Sequence, residues 1–158
     1  MAAIPKLGRK QRGMVGAHCI RMTVAQRFEE LIAWQLSENL KEEIFRLTDR
    51  DHVRRDSQFC EQIRGSARSA PANIAEGFGW FEPKPNARHV AIAKASLEET
   101  RNHAIDGFKR RYFSEPEHEA LQRLARRALI ATTRYLRYLR SCKSAPLGTD
   151  RTQRTGGT

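Results

Sequence analysis

The sequence lacks the features of a disulfide-linked, zinc-bound or membrane-spanning protein. It has three cysteines, Cys19, Cys60 and Cys142, which are odd in number, widely spaced and without a CxxC pair. That spacing argues against a disulfide framework and a zinc site, and it favours a reducing cytoplasm. No apolar run approaches the ~20 residues that a membrane-spanning helix requires. Residues 1–22 have no apolar h-region, so a secretory signal is not expected there.

The sequence also has little that would bind a metal or carry catalysis. A di-iron site in a helical bundle needs two Glu-x-x-His motifs and two further inward-facing glutamates. Only Glu115–His118 matches this motif, in the first turn of a helix beside Pro116. His18 and His103 have no neighbours at ligand spacing. We therefore expect no metal, no cofactor and no enzymatic activity.

The charge is strongly of one sign but is unevenly placed. The 158 residues include 29 basic and 18 acidic side chains, a formal net charge of +11. Residues 1–22 and 143–158 together carry +7, and residues 23–142 carry only +4. Composition predicts one domain at 23–143 between a disordered basic arm at 1–22 and a disordered tail at 144–158.

Apolar periodicity predicts an all-α, up-down-up-down four-helix bundle with no strand. Capping boxes at Thr23–Gln26 and Ser114–Glu117 are expected to open the first and fourth helices. In the third helix, the inward-facing residues are expected to be Val90, Ala93, Leu97, Ala104 and Phe108. The four predicted helices cover about 23–48, 56–78, 86–112 and 114–142, with loops at 49–55 and 79–85.

The first helix is apolar on more than one side. We expect Ile32, Leu36 and Phe45 to lie outside the side that Phe28 and Leu31 form. A helix that is apolar on more than one side is buried on more than one side. This pattern predicts a subunit interface in addition to the bundle core.

The fourth helix carries six arginines on one side, within an arc of about 140° at 100° per residue. Arginine matches phosphate well through its planar, bidentate guanidinium group. We therefore predict a surface that binds a nucleic-acid backbone. A solvated charged surface, or pairing with the acids of the first helix, is the alternative. This arginine face consists of Arg123, Arg126, Arg127, Arg134, Arg137 and Arg140.

The segment Gln62–Gly77 combines the periodicity of a buried helix with an internal Pro71. Its many glycine, serine and alanine residues indicate close packing against a neighbouring helix. We predict that Pro71 kinks the helix, and that Asn73 and Glu76 are buried and hydrogen-bonded to backbone groups freed by the kink. A catalytic role for this pair is less favoured, because the motif supplies no nucleophile and no acid–base partner.

This segment resembles a family of small four-helix bundles. The family includes proteins encoded in intervening sequences of bacterial 23S ribosomal RNA genes and the accessory variability determinants of diversity-generating retroelements. The resemblance covers roughly residues 24–142, with Ala95 and Thr100 as departures from the third-helix pattern. The matching residues are Gln62, Ile63, Arg64, Ala67, Ser69, Pro71, Asn73, Ile74, Ala75, Glu76 and Gly77, with Phe28, Leu31, Trp34, Gln35, Leu40, Ile44, Leu47, Thr48, Ala93, Ser96, Leu97 and Glu99 around them.

The resemblance implies a homopentamer. It also implies that the accessory variability members bind nucleic acid and a partner reverse transcriptase. Together with the arginine face, it predicts a non-enzymatic, cytoplasmic bundle that binds RNA or DNA with low sequence specificity. A protein-interaction scaffold without nucleic-acid binding is the alternative function.

Overall fold

The computed structural model describes residues 25–80 and 82–142, and within those ranges it is helical with no strand. The predicted tails at 1–22 and 144–158 lie outside the described residues. Four of the five α-helices are long, as the sequence predicts. In chain order the elements are a 3₁₀ turn Phe28–Glu30, α1 Ile32–Thr48, α2 Asp51–Arg54, α3 Ser57–Gly79, α4 Pro83–Lys109 and α5 Glu115–Ser141.

The four long helices form a closed bundle. Helix α1 packs against α3 and α5, and α4 packs against the same two helices from the opposite corner. The all-α, up-down-up-down prediction is confirmed. No helix in the described ranges is both long enough and apolar enough to span a membrane. Side chains spaced three or four residues apart meet along the bundle axis, and the fully enclosed ones include Leu40, Ile44, Leu47, Ile63, Ile74, Leu97 and Leu121.

The first helix begins later than predicted, at Ile32. Leu31 has an extended backbone (φ −72°, ψ 120°) that separates the 3₁₀ turn from α1. The Gln35 side chain donates to the carbonyl of Glu29 at 2.8 Å, and the rings of Phe28 and Trp34 meet edge to face at 5.3 Å. These contacts hold the turn against α1 and so prevent a continuous helix. Thr23, the predicted cap, lies outside the described residues.

The first two connections between the long helices contain more helix than predicted, whereas the third is longer than predicted, because α4 ends at Lys109 and not at Tyr112. The expected loop at 49–55 contains α2, because Val53 is fully buried and anchors that turn to the core. Helix α4 begins at Pro83, since proline is well tolerated in the first turn of a helix. It ends at Lys109, two residues before Arg111, whose φ of 61° is left-handed and cannot continue the helix. The capping box of α5 is confirmed, with the Ser114 N–H donating to Glu117 at 2.8 Å.

Helices α3 and α4 meet along what we call the α3–α4 seam, formed by Ser66, Ser69 and Gly77 facing Asn86, Ser96 and Thr100. Ser69 and Ser96 share a hydrogen bond of 2.8 Å, and Thr100 donates to Ser66 at 3.0 Å. A Cβ at Gly77 would lie 2.9 Å from Asn86 Oδ1 and 2.9 Å from His89 Cβ. Small side chains therefore allow α3 and α4 to approach closely, as the sequence predicts.

The Gln62–Gly77 segment departs from prediction in its polar residues. Glu76 is not buried, because its side chain is 64% exposed. Asn73 is half-buried and donates to the carbonyl and hydroxyl of Ser69, at 2.9 and 3.1 Å, within its own helix. The carbonyl freed by Pro71 is that of residue 67, four positions earlier, so Asn73 does not satisfy it. Pro71 itself is buried inside α3, and the kink stays a prediction.

Candidate nucleic-acid interface

The arginine face lies on the solvent side of α5. All six arginines are exposed. The opposite side of the helix is buried in the bundle through Leu121, Ala125, Ala128, Thr132, Leu136 and Leu139. The amphipathic pattern of α5 thus separates the residues that fold the helix from the cations that it presents to solvent.

One acid lies next to the first arginine of this surface. Glu119 is one helical turn before Arg123, and their side chains form an ion pair at 3.4 Å. The other five arginines form no ion pair with any described residue. No acid of α1 forms an ion pair with them: Glu38 pairs with Lys41 and Glu43 with Arg46 on α1 itself, and Glu42 is exposed. The alternative of charge pairing with α1 is therefore wrong.

Most arginines before α5 in the described chain do form ion pairs. Between residues 25 and 111 there are 11 arginines, and seven of them form an ion pair with another described residue. On α5 only one of six does so. Uncompensated charge is therefore concentrated on the arginine face. The seven paired arginines are Arg27, Arg46, Arg50, Arg54, Arg64, Arg101 and Arg110.

Helix α4 adds charge next to the arginine face. Lys94, Glu98 and Arg101 recur along one side of α4 and line a groove with Arg126, Ile130 and other residues of α5. Glu98 pairs with Arg101 at 3.6 Å, and Arg101 also donates to Gln122 of α5 at 2.9 Å. Lys94 has no ion pair with a described residue. We call this the α4–α5 groove; it is lined by Lys94, Glu98, Arg101, Arg126, Leu129, Ile130, Thr133, Arg134 and Arg137.

Two carboxylates fix the start of α5 and the turn before it. Glu117 pairs with Arg50, and that hydrogen bond, with the one from the Ser114 N–H, lowers the pKa of Glu117 from 4.5 to about 2. Asp56 caps α3 through the Phe59 N–H at 3.0 Å and accepts from the Tyr112 hydroxyl at 2.9 Å. These two bonds, foremost the backbone one, lower the pKa of Asp56. The arginine face is thus carried by a helix that is anchored at its N-terminus.

Helix α1 offers less apolar surface than its sequence suggests. Phe45 lies beneath the guanidinium groups of Arg64 and Arg68, whose carbons are 5.2 and 5.9 Å from its ring centre. Leu36 packs against the core, whereas Ile32 is 61% exposed. Only one of the three residues that suggested a subunit interface is therefore open to solvent. Phe108, predicted to face inward, is exposed and stacks on His118 at 4.5 Å between ring centres.

Metal-ligating and thiol side chains form no further candidate site in the described ranges. No group of three or more His, Cys, Asp or Glu residues is arranged there to hold a metal ion. In the single Glu-x-x-His motif, Glu115 is exposed in the first turn of α5 and the His118 ring stacks on Phe108. Cys60 and Cys142 are free thiols, and Cys19 lies outside the described residues. Burial is the main cause that raises the pKa of Cys60, which disfavours its reactive thiolate form.

The comparison with known families agrees with the fold and with the Gln62–Gly77 segment. The sequence model of the 23S rRNA-intervening sequence protein family matches residues 29–131, about two thirds of the chain. The chain belongs to this family. The matched segment contains the whole α3–α4 seam but ends before Arg134, Arg137 and Arg140. No curated protein matches the chain.

Geometry makes the six arginines candidate ligand-binding residues. The structure brings five of them together as exposed, uncompensated cations on one surface. Sequence reasoning missed the cations from α4, because helical periodicity within α5 says nothing about which residues of α4 lie beside it. It also missed Arg50 and Asp56, whose partners are 67 and 56 residues away in sequence.

Proposed function

We propose that this chain is a non-enzymatic, oligomeric helical bundle that binds nucleic acid through the arginine face of α5. The observation that carries the proposal is the contrast in ion pairing. Five of the six arginines have no acidic partner within the described residues, whereas most other arginines between residues 25 and 111 are paired. A row of guanidinium groups is well suited to phosphate because each can bind two of its oxygens at once.

Fold stability does not account for this surface. Arg134 and Arg137 are one helical turn apart, as are Arg123 and Arg127, and like charges at such spacings destabilise a helix. A polyanion bound along α5 would relieve this repulsion. Phosphate contacts carry no sequence information, so the proposed binding discriminates little between sequences. RNA and DNA both present the required backbone.

The proposal includes a homo-oligomer, and the family resemblance favours a pentamer. Support comes from exposed large apolar residues, among which Ile32 and Trp80 are 61% and 53% exposed. Several copies of the arginine face in one particle would steepen the salt dependence of binding. Light scattering tests this part directly, since a mass of 18.1 kDa at micromolar concentration would show a monomer and contradict it.

Two biological settings fit the proposal. The family description supports a protein encoded in an intervening sequence of a 23S ribosomal RNA gene. The resemblance to accessory variability determinants supports an accessory factor of a reverse transcriptase. The position of the gene, within a ribosomal RNA operon or beside a reverse transcriptase gene, would separate the two.

The test of the nucleic-acid function is the salt dependence of affinity. In the full chain, replacing Arg127, Arg134 and Arg137 with glutamine should weaken binding to unrelated sequences by similar factors. Neutralising one duplex phosphate contributes about −0.9 to the slope of log K against log salt, so the triple variant should flatten it by up to about 3 per chain. Both proteins retain residues 1–24 and 143–158, so any difference between them comes from the bundle.

A matched control is available elsewhere on the bundle. Arg55, Arg88 and Lys109 are also exposed and have no ion pair in the part of the chain that the structure describes. Replacing these three with glutamine removes the same net charge and should change the slope much less. Equal effects of the two triple variants would show that net charge, and not the arginine face, drives binding. An absence of binding to RNA and DNA at low salt would favour the protein-interaction scaffold.

A further inference from the structure

The α4–α5 groove has an apolar centre that phosphate binding alone does not explain. Ile130 is 48% exposed although it lies in the middle of the arginine face. Its neighbours one turn before and one turn after on α5 are Arg126 and Arg134, whose Cβ atoms are expected about 5–6 Å away. Leu129 and Thr133 continue the floor of the groove beside it. The groove therefore offers an apolar strip bordered by cations.

The charge of the groove is almost entirely uncompensated. Its lining includes five cations and a single acid, Glu98, which already pairs with Arg101. Lys94 of α4 faces the arginines of α5 across the groove, so both walls are positive. Its volume of about 520 Å³ is within the ~300–1,000 Å³ range of clefts that enclose small ligands.

The chemistry of the occupant follows from this combination. A duplex presents phosphates and sugars to such a surface and keeps its bases stacked inside, so it would leave Ile130 exposed. A single strand presents phosphates and also the faces of unstacked bases, which pack against apolar or planar side chains. We propose that the α4–α5 groove binds single-stranded nucleic acid, with phosphates on Arg126, Arg134 and Arg137 and a base against Ile130.

This inference rests on the proposed nucleic-acid function and specifies the substrate class of the same surface. It explains why a β-branched apolar residue interrupts a row of arginines on the solvent side of a helix. It also gives α4 a role in binding, since Lys94 supplies the second wall of the groove.

The experiment compares strands and duplexes with two isoleucine variants of the full chain. Labelled oligonucleotides of about 12 nucleotides are within the site sizes of known single-strand binders. They are titrated as single-stranded RNA, as single-stranded DNA of the same sequence, and as the corresponding duplexes, at one low salt concentration. Ile130→Ala removes the apolar centre without changing the charge. Ile92→Ala is the matched control, because Ile92 is 44% exposed on α4 outside the groove.

We expect the parent protein to bind single strands more tightly than duplexes of equal length. Ile130→Ala should weaken single-strand binding by about 5- to 10-fold, the lower end of the effect of losing one stacking side chain. It should leave duplex binding and the salt slope unchanged, and Ile92→Ala should match the parent on every probe. Tighter binding of RNA than of DNA would assign contacts to the 2′-hydroxyl, and equal binding would assign them to phosphate and base alone.

Two outcomes would overturn the inference and leave the proposed function intact. One is duplex affinity equal to single-strand affinity. The other is Ile130→Ala behaving like Ile92→Ala on single strands while the glutamine triple variant at Arg127, Arg134 and Arg137 still weakens binding. If no probe binds at low salt, the proposed function fails together with the inference.

Discussion

The α3–α4 seam and the arginine face of α5 place polar side chains on helices in opposite ways. In the seam, the hydroxyls of Ser66, Ser69, Ser96 and Thr100 all bond to one another or to their own helix backbone. On the arginine face, five guanidinium groups have no ion pair with described residues. The hydroxyls of the seam are thus satisfied by the fold, and of its side-chain polar atoms only Asn86 Oδ1 is buried without a hydrogen-bond partner among the described residues. The cations of the arginine face are instead exposed and available to a ligand. This difference indicates that the Gln62–Gly77 segment, which carries the family resemblance, serves mainly to build the bundle.

The largest effect is expected from filling the seam. Gly77→Ala places a Cβ 2.9 Å from Asn86 Oδ1 and 3.2 Å from the backbone oxygen of the same residue, so α3 and α4 must move apart. Overpacking of this kind typically costs about 1–3 kcal/mol of unfolding free energy. Urea denaturation of the variant and parent measures the difference.

Gly65→Ala is the control on the same helix. A Cβ at Gly65 would meet nothing within 4 Å, and alanine favours a helix over glycine by up to about 1 kcal/mol. The two variants should therefore change stability in opposite directions. A Gly77→Ala protein as stable as the Gly65→Ala protein would show that the helices are not closely packed there.

A smaller loss of stability is expected when the pH is lowered, because Glu117, which pairs with Arg50 at the start of α5, becomes protonated. The folded-state pKa of Glu117, about 2, is below its ordinary value of 4.5. Its stabilising contribution is therefore complete above about pH 4.5 and is lost as the pH falls toward 2. Because the pair with Arg50 is partly solvated, we expect it to contribute roughly 1–2 kcal/mol.

Arg50→Gln tests this contribution through the pH dependence of the melting temperature. The variant should be less stable than the parent at pH 6, and the difference should shrink toward pH 2. Arg54→Gln is the control, because its exposed pair with Asp51 spans 3.5 Å and should contribute little. The role of Glu117 would be contradicted if the melting temperatures of the Arg50→Gln variant and the parent differed by the same amount from pH 6 to pH 2.

The smallest change in stability is expected on the arginine face itself. Replacing Arg127, Arg134 and Arg137 with glutamine relieves like-charge repulsion of about 0.2–0.5 kcal/mol per pair. The free chain should therefore melt at the same temperature as the parent or slightly higher. Destabilisation by more than about 1 kcal/mol would mean that these arginines hold the bundle or its assembly together, which would remove the contrast with the seam.

The helices could be predicted from sequence because apolar spacing and the Ser114–Glu117 capping box are local signals. The start of the first helix could not be predicted from the sequence, because the break at Leu31 depends on the contacts of Gln35 and Trp34 with the preceding turn. The prediction that Glu76 is buried is wrong for a related reason. A small-residue segment predicts which side of a helix approaches its neighbour, but polar residues one position away can still face solvent.

The candidate site was predictable in part. The arc of arginines follows from the sequence of α5 alone, and its exposure follows from the buried stripe on the other side. Glu119 was missed because it precedes the first arginine in the sequence, although it lies within the same arc of the helix. The groove required the structure, since Lys94 and Arg101 reach α5 through the register of two antiparallel helices.

The most direct test of the central claim is a map of where nucleic acid touches the full chain. Photo-crosslinking with a thiouridine-substituted single-stranded RNA, followed by peptide mass spectrometry, identifies the contacted residues. The account predicts crosslinks within α5 and the facing side of α4, around Lys94, Ile130 and Arg134, that disappear in the glutamine triple variant. Crosslinks confined to residues 1–24 and 143–158, or to the α3–α4 seam, would contradict it.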